Sequence, residues 1–221
     1  MTEPKHVAFD IAKLSVVDSW TDEQWAEHDA RVAADRAGSA EPLALARPNL
    51  EDLDWPARAL RIARSADRSR VALASLLKHD FTDRSVAVLS GFAGCGKTVA
   101  AAAWALGSGL RVRFLRAATF AASSRYDAEA RAQWFGAQAL VLDDLGSEYL
   151  DAKGSFLVDL DELVDTFYGD ERPLVITTNL QWKRDPASKT PQPPQLVERY
   201  GERVARRLRE CAKFYSVGGA S

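Results

Sequence analysis

Gly91-Phe-Ala-Gly-Cys-Gly-Lys-Thr98 is the stretch on which the reading of the whole chain turns. Its spacing is G-x-x-x-x-G-K-T. Gly91, Gly94 and Gly96 let the backbone adopt conformations closed to other residues and turn several N–H groups toward one point. With the N-terminus of a following helix, those groups form a cradle for phosphate anions. The expected phosphate-binding residues are therefore Gly91, Phe92, Ala93, Gly94, Cys95, Gly96, Lys97 and Thr98. Lys97 would reach the β- and γ-phosphates, and the Thr98 hydroxyl would complete a magnesium shell. A glycine-rich turn with an incidental lysine needs no particular flanks. Here Val86-Ala-Val-Leu-Ser90 precedes the loop as a short apolar strand, and an alanine-rich helix follows from Thr98 to Leu106.

Working outward, strands and helices alternate. Arg111 to Leu115 reads as a second strand, followed by helical sequence to about Trp134. Ala139 to Asp143 reads as a third strand, and Gly154 to Tyr168 as a helix with Phe156, Leu160, Leu163 and Phe167 on its buried face. Pro173 to Thr178 is a fourth strand, Gln195 to Arg209 a helix, and Lys213 to Val217 a last strand. Strands separated by helices of this length indicate a parallel sheet covered on both faces, an α/β fold.

The ends of two of these strands carry the next candidates. In a parallel sheet the ligand crevice lies beyond the carboxyl ends of the strands. Leu140-Val-Leu-Asp-Asp144 places Asp143 there to hold magnesium and Asp144 to polarise an attacking water. Aspartate in the second position is shorter than the glutamate many ATPases use. Asn179 closes the fourth strand, where its amide can orient water against a γ-phosphate, with Thr177 or Thr178 as a lesser contributor. Asparagine also serves as a turn residue. No guanine-reading NKxD motif is present, which favours ATP.

Composition bounds the remainder. The chain has 221 residues, 47% hydrophobic and 27% charged, with a net charge of −2 and two cysteines, Cys95 and Cys211. A disulfide framework or cysteine metal site is not expected. No stretch approaches the ~20 apolar residues of a membrane span, and the N-terminus lacks the order of a signal peptide. A cytoplasmic protein with no membrane partner is the expectation. Residues 1–60 hold six Lys/Arg against twelve Asp/Glu, whereas residues 181–221 hold nine against four. The division expected is an acidic, mostly helical arm over 1–60 that docks a partner, and an ATPase core over 61–221. In the arm, Thr21 and Gln24 form a capping-box pattern for a helix running to Ala37. A second helix is expected from Pro56 to Leu77.

Glu198 to Arg209 sets Arg199, Arg203, Arg206, Arg207 and Arg209 within three helical turns. Such a face can be merely solvated, can attract nucleic acid, or can supply an arginine finger to a neighbouring subunit's ATP site.

These elements together resemble a known family. GFAGCGKT, then LVLDDLG (Leu140 to Gly146), VITTNL (Val175 to Leu180) and YGERVARRL (Tyr200 to Leu208) are similar to the AAA+ ATPases of the DnaC/IstB type, the helicase loaders and transposition helper ATPases. The resemblance spans roughly residues 80–217. It implies an AAA+ P-loop core with a five-stranded parallel sheet, ATP and Mg2+, and self-association through the ATP site with Arg207 in the finger position. Lys97, Asp144, Asn179 and Arg207 would then be the catalytic set, with Thr98 and Asp143 at the metal. It also implies contact with single-stranded DNA and with a replicative helicase or a transposase. In the family the segment after the second strand helps grip DNA. Here that segment holds Phe120, Arg125 and Tyr126, suited either to stacking and phosphate contact or to packing. Two departures stand out: no helical lid is evident after the last strand, which with Asp144 in place of glutamate points to low intrinsic turnover and leaves open an ATP-gated interaction module with little hydrolysis; and Gln181 to Pro194 is a long proline-rich connection holding Trp182, Lys183 and Arg184.

Overall fold

The computed structural model describes residues 54–66, 71–151, 154–183 and 193–217. The expected arm helix from Thr21 to Ala37 and Arg184 lie outside these residues. The apolar runs form five strands: β1 (Val86–Gly91), β2 (Val112–Arg116), β3 (Ala139–Leu145), β4 (Leu174–Thr178) and β5 (Ala212–Val217). All pair in parallel in the order β2-β3-β4-β1-β5. The three central strands are almost wholly buried because helices cover both faces, which is why their sequences are apolar runs and not alternations.

On one face lie α1 (Ala57–Ala63), α2 (Val71–Leu77) and α3 (Lys97–Ser108). Leu60, Leu73, Leu76 and Trp104 pack there against Ala87, Leu89, Val141 and Val175. The other face is covered by α4 (Ala117–Ser123), α5 (Ala128–Phe135), α6 (Ser155–Gly169) and α7 (Leu196–Cys211). Phe120, Trp134, Phe156, Leu160, Phe167, Tyr200 and Leu208 fill that side with Leu142 and Ile176.

Several expectations need correction. The single helix expected from Pro56 to Leu77 is two helices, because the first turns out at Arg64, where Ser65 and Ala66 close shorter bonds to Ile62 and Ala63. The helical sequence after β2 is likewise split, at Asp127, whose side chain caps α5 by accepting from the Ala130 N–H at 2.9 Å. α1 runs across residues 60 and 61. Trp55 is buried against the sheet, stacks obliquely on Phe114 at 5.1 Å and donates its indole N–H to the Val112 carbonyl at 2.7 Å. It thereby occupies a carbonyl of edge strand β2, which would otherwise be left unpaired. Among the described residues no helix is long and apolar enough to cross a membrane.

Candidate nucleotide site

The loop between β1 and α3 has the backbone its glycines promise. Gly94 (φ 81°) and Gly96 (φ 91°) are left-handed, and a Cβ built on either would meet nothing within 4 Å. Gly91 is needed for a different reason. A Cβ there would overlap the Val217 carbonyl of β5. Lys97 opens α3 and folds back over the loop, its Nζ donating to the carbonyls of Gly91 (2.8 Å) and Phe92 (2.9 Å). The Phe92 ring is exposed at the loop tip.

From this lysine a continuous chain of hydrogen bonds runs through the ends of β3 and β4. Lys97 Nζ donates to Asn179 Oδ1 at 3.0 Å, and Asn179 Nδ2 donates to Asp144 Oδ1 at 3.3 Å. An ammonium on one side and a carboxylate on the other fix which way the amide points. Thr98 donates to Asp143 Oδ1 at 2.7 Å, and Thr177 donates to the same oxygen at 2.7 Å. Both bonds end on Oδ1, so Oδ2 is left for a further donor or a cation. The Thr177 hydroxyl also accepts the Asp144 N–H at 2.9 Å.

The two adjacent aspartates differ in backbone. The register of β3 against β4 passes from Leu142↔Ile176 to Leu145↔Thr178, so three residues on one strand answer two on the other. This is a bulge with Asp144 at φ 58°. A left-handed non-glycine residue is uncommon, and such strain collects where a side chain must be re-aimed. Asp143 stays in the strand and is buried, whereas Asp144 turns outward and is partly exposed.

Lys97, Thr98, Asp143, Asp144 and Asn179 are thus brought together. Arg207 is not among them. Ala212, which follows α7, pairs with Val86 at the start of β1, while Gly91 at its end leads into the loop. Arg207 lies five residues before Ala212 on α7, and among the described residues none of its hydrogen bonds or ion pairs reaches the loop or the acidic pair. It pairs with Asp165 (3.0 Å) and Glu210 (3.4 Å).

The profile of the IstB-like ATP binding protein family matches residues 10–188. The chain belongs to that family. Among solved structures, the DnaC helicase loader matches with a TM-score of 0.57 at 19% identity, over 74% of this chain and 100% of that one. DnaI matches with a TM-score of 0.54 at 18% identity, over 77% and 97%. These likenesses are of fold; together with the family match they give this IstB-like protein an AAA+ P-loop NTPase architecture. No curated protein matches the sequence.

Three features of this IstB-like protein were not legible beforehand. Thr177, rather than Thr178, is the threonine that joins the two aspartates; Thr178 instead bonds the Leu145 carbonyl and the Leu180 N–H. Glu148 is buried beneath the loop after β3, accepting from the Gly146 N–H at 2.8 Å and from Tyr200 at 2.8 Å. Burial, reinforced by that carboxylate, pushes the Tyr200 phenol far above its ordinary range. Third, Phe120 is fully buried against Trp134 and Phe156, so of the aromatics named for DNA contact it packs the core. Tyr126 is exposed, as is Tyr149 in the loop after β3.

Proposed function

We propose that this protein hydrolyses ATP with Mg2+ and uses the cycle to load or regulate a replicative helicase on single-stranded DNA. The observation that carries the hydrolysis is the unbroken circuit Thr98–Asp143–Thr177–Asp144–Asn179–Lys97. The left-handed backbone of Gly94 and Gly96 fits phosphate. A hydroxyl and a carboxylate at 2.7 Å fit a magnesium ion that takes its remaining ligands from phosphate and water. When bound, the metal nucleotide supplies the electrophilic phosphorus. The chain supplies the rest. Lys97 holds positive charge at the mouth of the loop, and Asp143 with Thr98 fixes the cation. Asp144, aimed outward by the bulge, accepts a hydrogen bond from water, and Asn179 holds Asp144 and Lys97 in one geometry.

The site is half of a shared one in this reading, with Arg207 of a neighbouring copy completing it. Its present partners are half-exposed ion pairs of the kind worth ~0–1 kcal/mol, so they can be exchanged for a phosphate. Arg206 is exposed beside it, and no ion pair or hydrogen bond is found for it among the described residues. Tyr126, Arg125 and Tyr149 form the DNA-facing set, since exposed aromatics stack bases at ~1–3 kcal/mol each. The likeness in fold to a helicase loader over its whole length supports the helicase as partner. The family match favours a second reading, a transposase partner.

Lys97→Ala removes charge-assisted hydrogen bonds and should weaken nucleotide binding about 10- to 150-fold; unchanged affinity would remove the site assignment. Mixing Arg207→Ala with Asp144→Ala subunits should restore hydrolysis that neither has alone. Rescue by Arg206→Ala but not Arg207→Ala would move the finger by one residue. A pull-down with residues 1–60 present or deleted decides the partner: a hexameric helicase recovered only with the arm supports the first reading, a transposase the second.

A further inference from the structure

α7 is not one helix. Gly201 breaks it with φ 77° and ψ 172°, a region that is essentially glycine's alone. Before the break stand Arg199 and Tyr200; after it stand Arg203, Arg206, Arg207 and Arg209. The first part is fastened to the loop that follows the acidic pair. Arg199 Nε and Nη2 donate to Glu148 Oε1 at 3.1 and 2.9 Å, Arg199 Nη2 donates to the Glu148 carbonyl at 2.5 Å, and Tyr200 adds its hydroxyl. The other carboxylate oxygen, Oε2, accepts the Gly146 N–H, two residues past Asp144. The Glu148 side chain has no solvent exposure.

The second part is fastened differently. Arg203 pairs with Asp161 at 2.7 Å and Arg207 with Asp165 at 3.0 Å, with the arginine side chains 76% and 33% exposed. A buried carboxylate with both oxygens bonded holds its geometry, while the second part is held by Val204, Leu208 and Cys211 buried in the core. The break therefore separates the part tied to the loop after β3 from the arginine-bearing part packed on the core. Arg207 lies six residues beyond Gly201, about 9 Å along a helix, so a turn of about 10° at the break moves it about 1.5 Å. A misplacement near 1 Å at a catalytic group can cost about 100-fold in rate.

We propose that Glu148 is a positioning residue that ties the loop after Asp143 and Asp144 to α7. Through Arg199 and Tyr200, and across the Gly201 break, nucleotide at the chain's own site sets the arginines that a neighbour receives. A change in the Asp144 bulge pulls on Gly146, Gly146 on Glu148, and Glu148 on the anchor of α7. This rests on the phosphate-site reading above, and it gives neighbouring sites a physical means of acting in sequence.

The test is amide hydrogen exchange in residues 202–211 of the full chain, with and without a non-hydrolysable ATP analogue, at a concentration where light scattering gives the monomer mass. Nucleotide affinity is measured alongside. In the wild type nucleotide should change exchange there by about threefold or more. Glu148→Gln and Tyr200→Phe should lose most of that response while analogue affinity shifts less than about threefold. Gly201→Ala, whose new methyl meets no atom within 4 Å, should alter the response through backbone conformation alone and serves if Glu148→Gln does not fold. A wild-type response retained in all folded variants, or no response in a wild type that binds nucleotide, overturns the proposal. A wild type that binds no nucleotide overturns the site reading and the proposal together, and the affinity measurement identifies that case.

Discussion

Thr177→Val tests the circuit at its most loaded atom. The side chain is 1% exposed, and its hydroxyl both donates to Asp143 Oδ1 and accepts from the Asp144 N–H. Valine keeps the shape and deletes both bonds. Loss of a hydrogen bond to a charged group costs ~1.5–3 kcal/mol, and a buried N–H left without an acceptor ~1–3 kcal/mol. Asp143 retains Thr98, so the lower part of the summed range applies, about 2.5–4 kcal/mol. For a chain of this size that lowers Tm by about 5–16 °C. Thr177→Ser keeps both bonds and loses one buried methyl, about 1 kcal/mol. Calorimetric melting of the three proteins measures the difference. ATP turnover should fall with Thr177→Val, because Asp144 loses the bond that holds its left-handed backbone. A Thr177→Val protein that melts within about 1 °C of wild type, or a serine variant as damaged as the valine one, refutes the reasoning.

Gly91→Ala drives a methyl into the Val217 carbonyl and should leave the chain insoluble, whereas Gly94→Ala carries only left-handed strain of ~1–2 kcal/mol and should melt about 2–8 °C lower. Similar solubility and Tm for the two would contradict the packing of β5 on the loop. Of the two free cysteines, Cys211 is buried and burial pushes its thiol up to about 11, while Cys95 lies in the loop. At pH 8 a thiol reagent should titrate Cys95 rapidly, more slowly with ATP present, and Cys211 only after denaturation; two fast thiols would count against this. Burial holds the His79 imidazole below its ordinary 6.5 while its nitrogens bond Tyr215 and the Arg84 carbonyl. The unfolded chain then takes up the proton first, so stability should fall as pH drops through 6.5, and His79→Gln should flatten that slope in melts from pH 7.5 to 5.5. Equal slopes would remove His79 from the account.

What was legible in the sequence was whatever depends on local pattern. Val86–Ser90, Ala139–Asp143 and Leu174–Thr178 are apolar runs ending in polar or glycine residues, and a parallel sheet places those ends together, so Lys97, Thr98, Asp143, Asp144 and Asn179 could be named without coordinates. The rest depends on pairings across long separations. Glu148 reads as one polar loop residue among several, and its partners Arg199 and Tyr200 are 51 and 52 residues away. Which of Thr177 and Thr178 serves the aspartates is decided by the bulge in β3, and no periodicity announces a bulge. Phe120 and Tyr126 are both aromatic, and it is packing against α6 and Trp134 that buries the first. The break in α7 has a signal in the sequence: an isolated glycine within a helical pattern, Gly201, is a reason to expect it.

α6 shows how these long-range pairings are organised. Its apolar face, Phe156, Leu160, Leu163 and Phe167, fixes where the helix sits against the sheet. Interleaved with that face are Asp159, Asp161 and Asp165, which hold arginines from two places. Asp159 accepts from Ser124 at 2.6 Å and pairs with Arg125 and Arg131 of the segment after β2. Asp161 and Asp165 hold Arg203 and Arg207 of α7. The turn that exposes Tyr126 and the arginines proposed for a neighbour are therefore fastened to one helix, which itself leaves the loop carrying Glu148. Hydrophobic burial is non-directional and would tolerate small rotations of α6, whereas the charged pairs fix orientation. A substitution that spared the apolar face but neutralised Asp159 or Asp161 would keep the fold and loosen one attached surface from the other. Asp159 and Asp161, which are buried, and Asp165, which is exposed, thus fasten two surfaces to one helix.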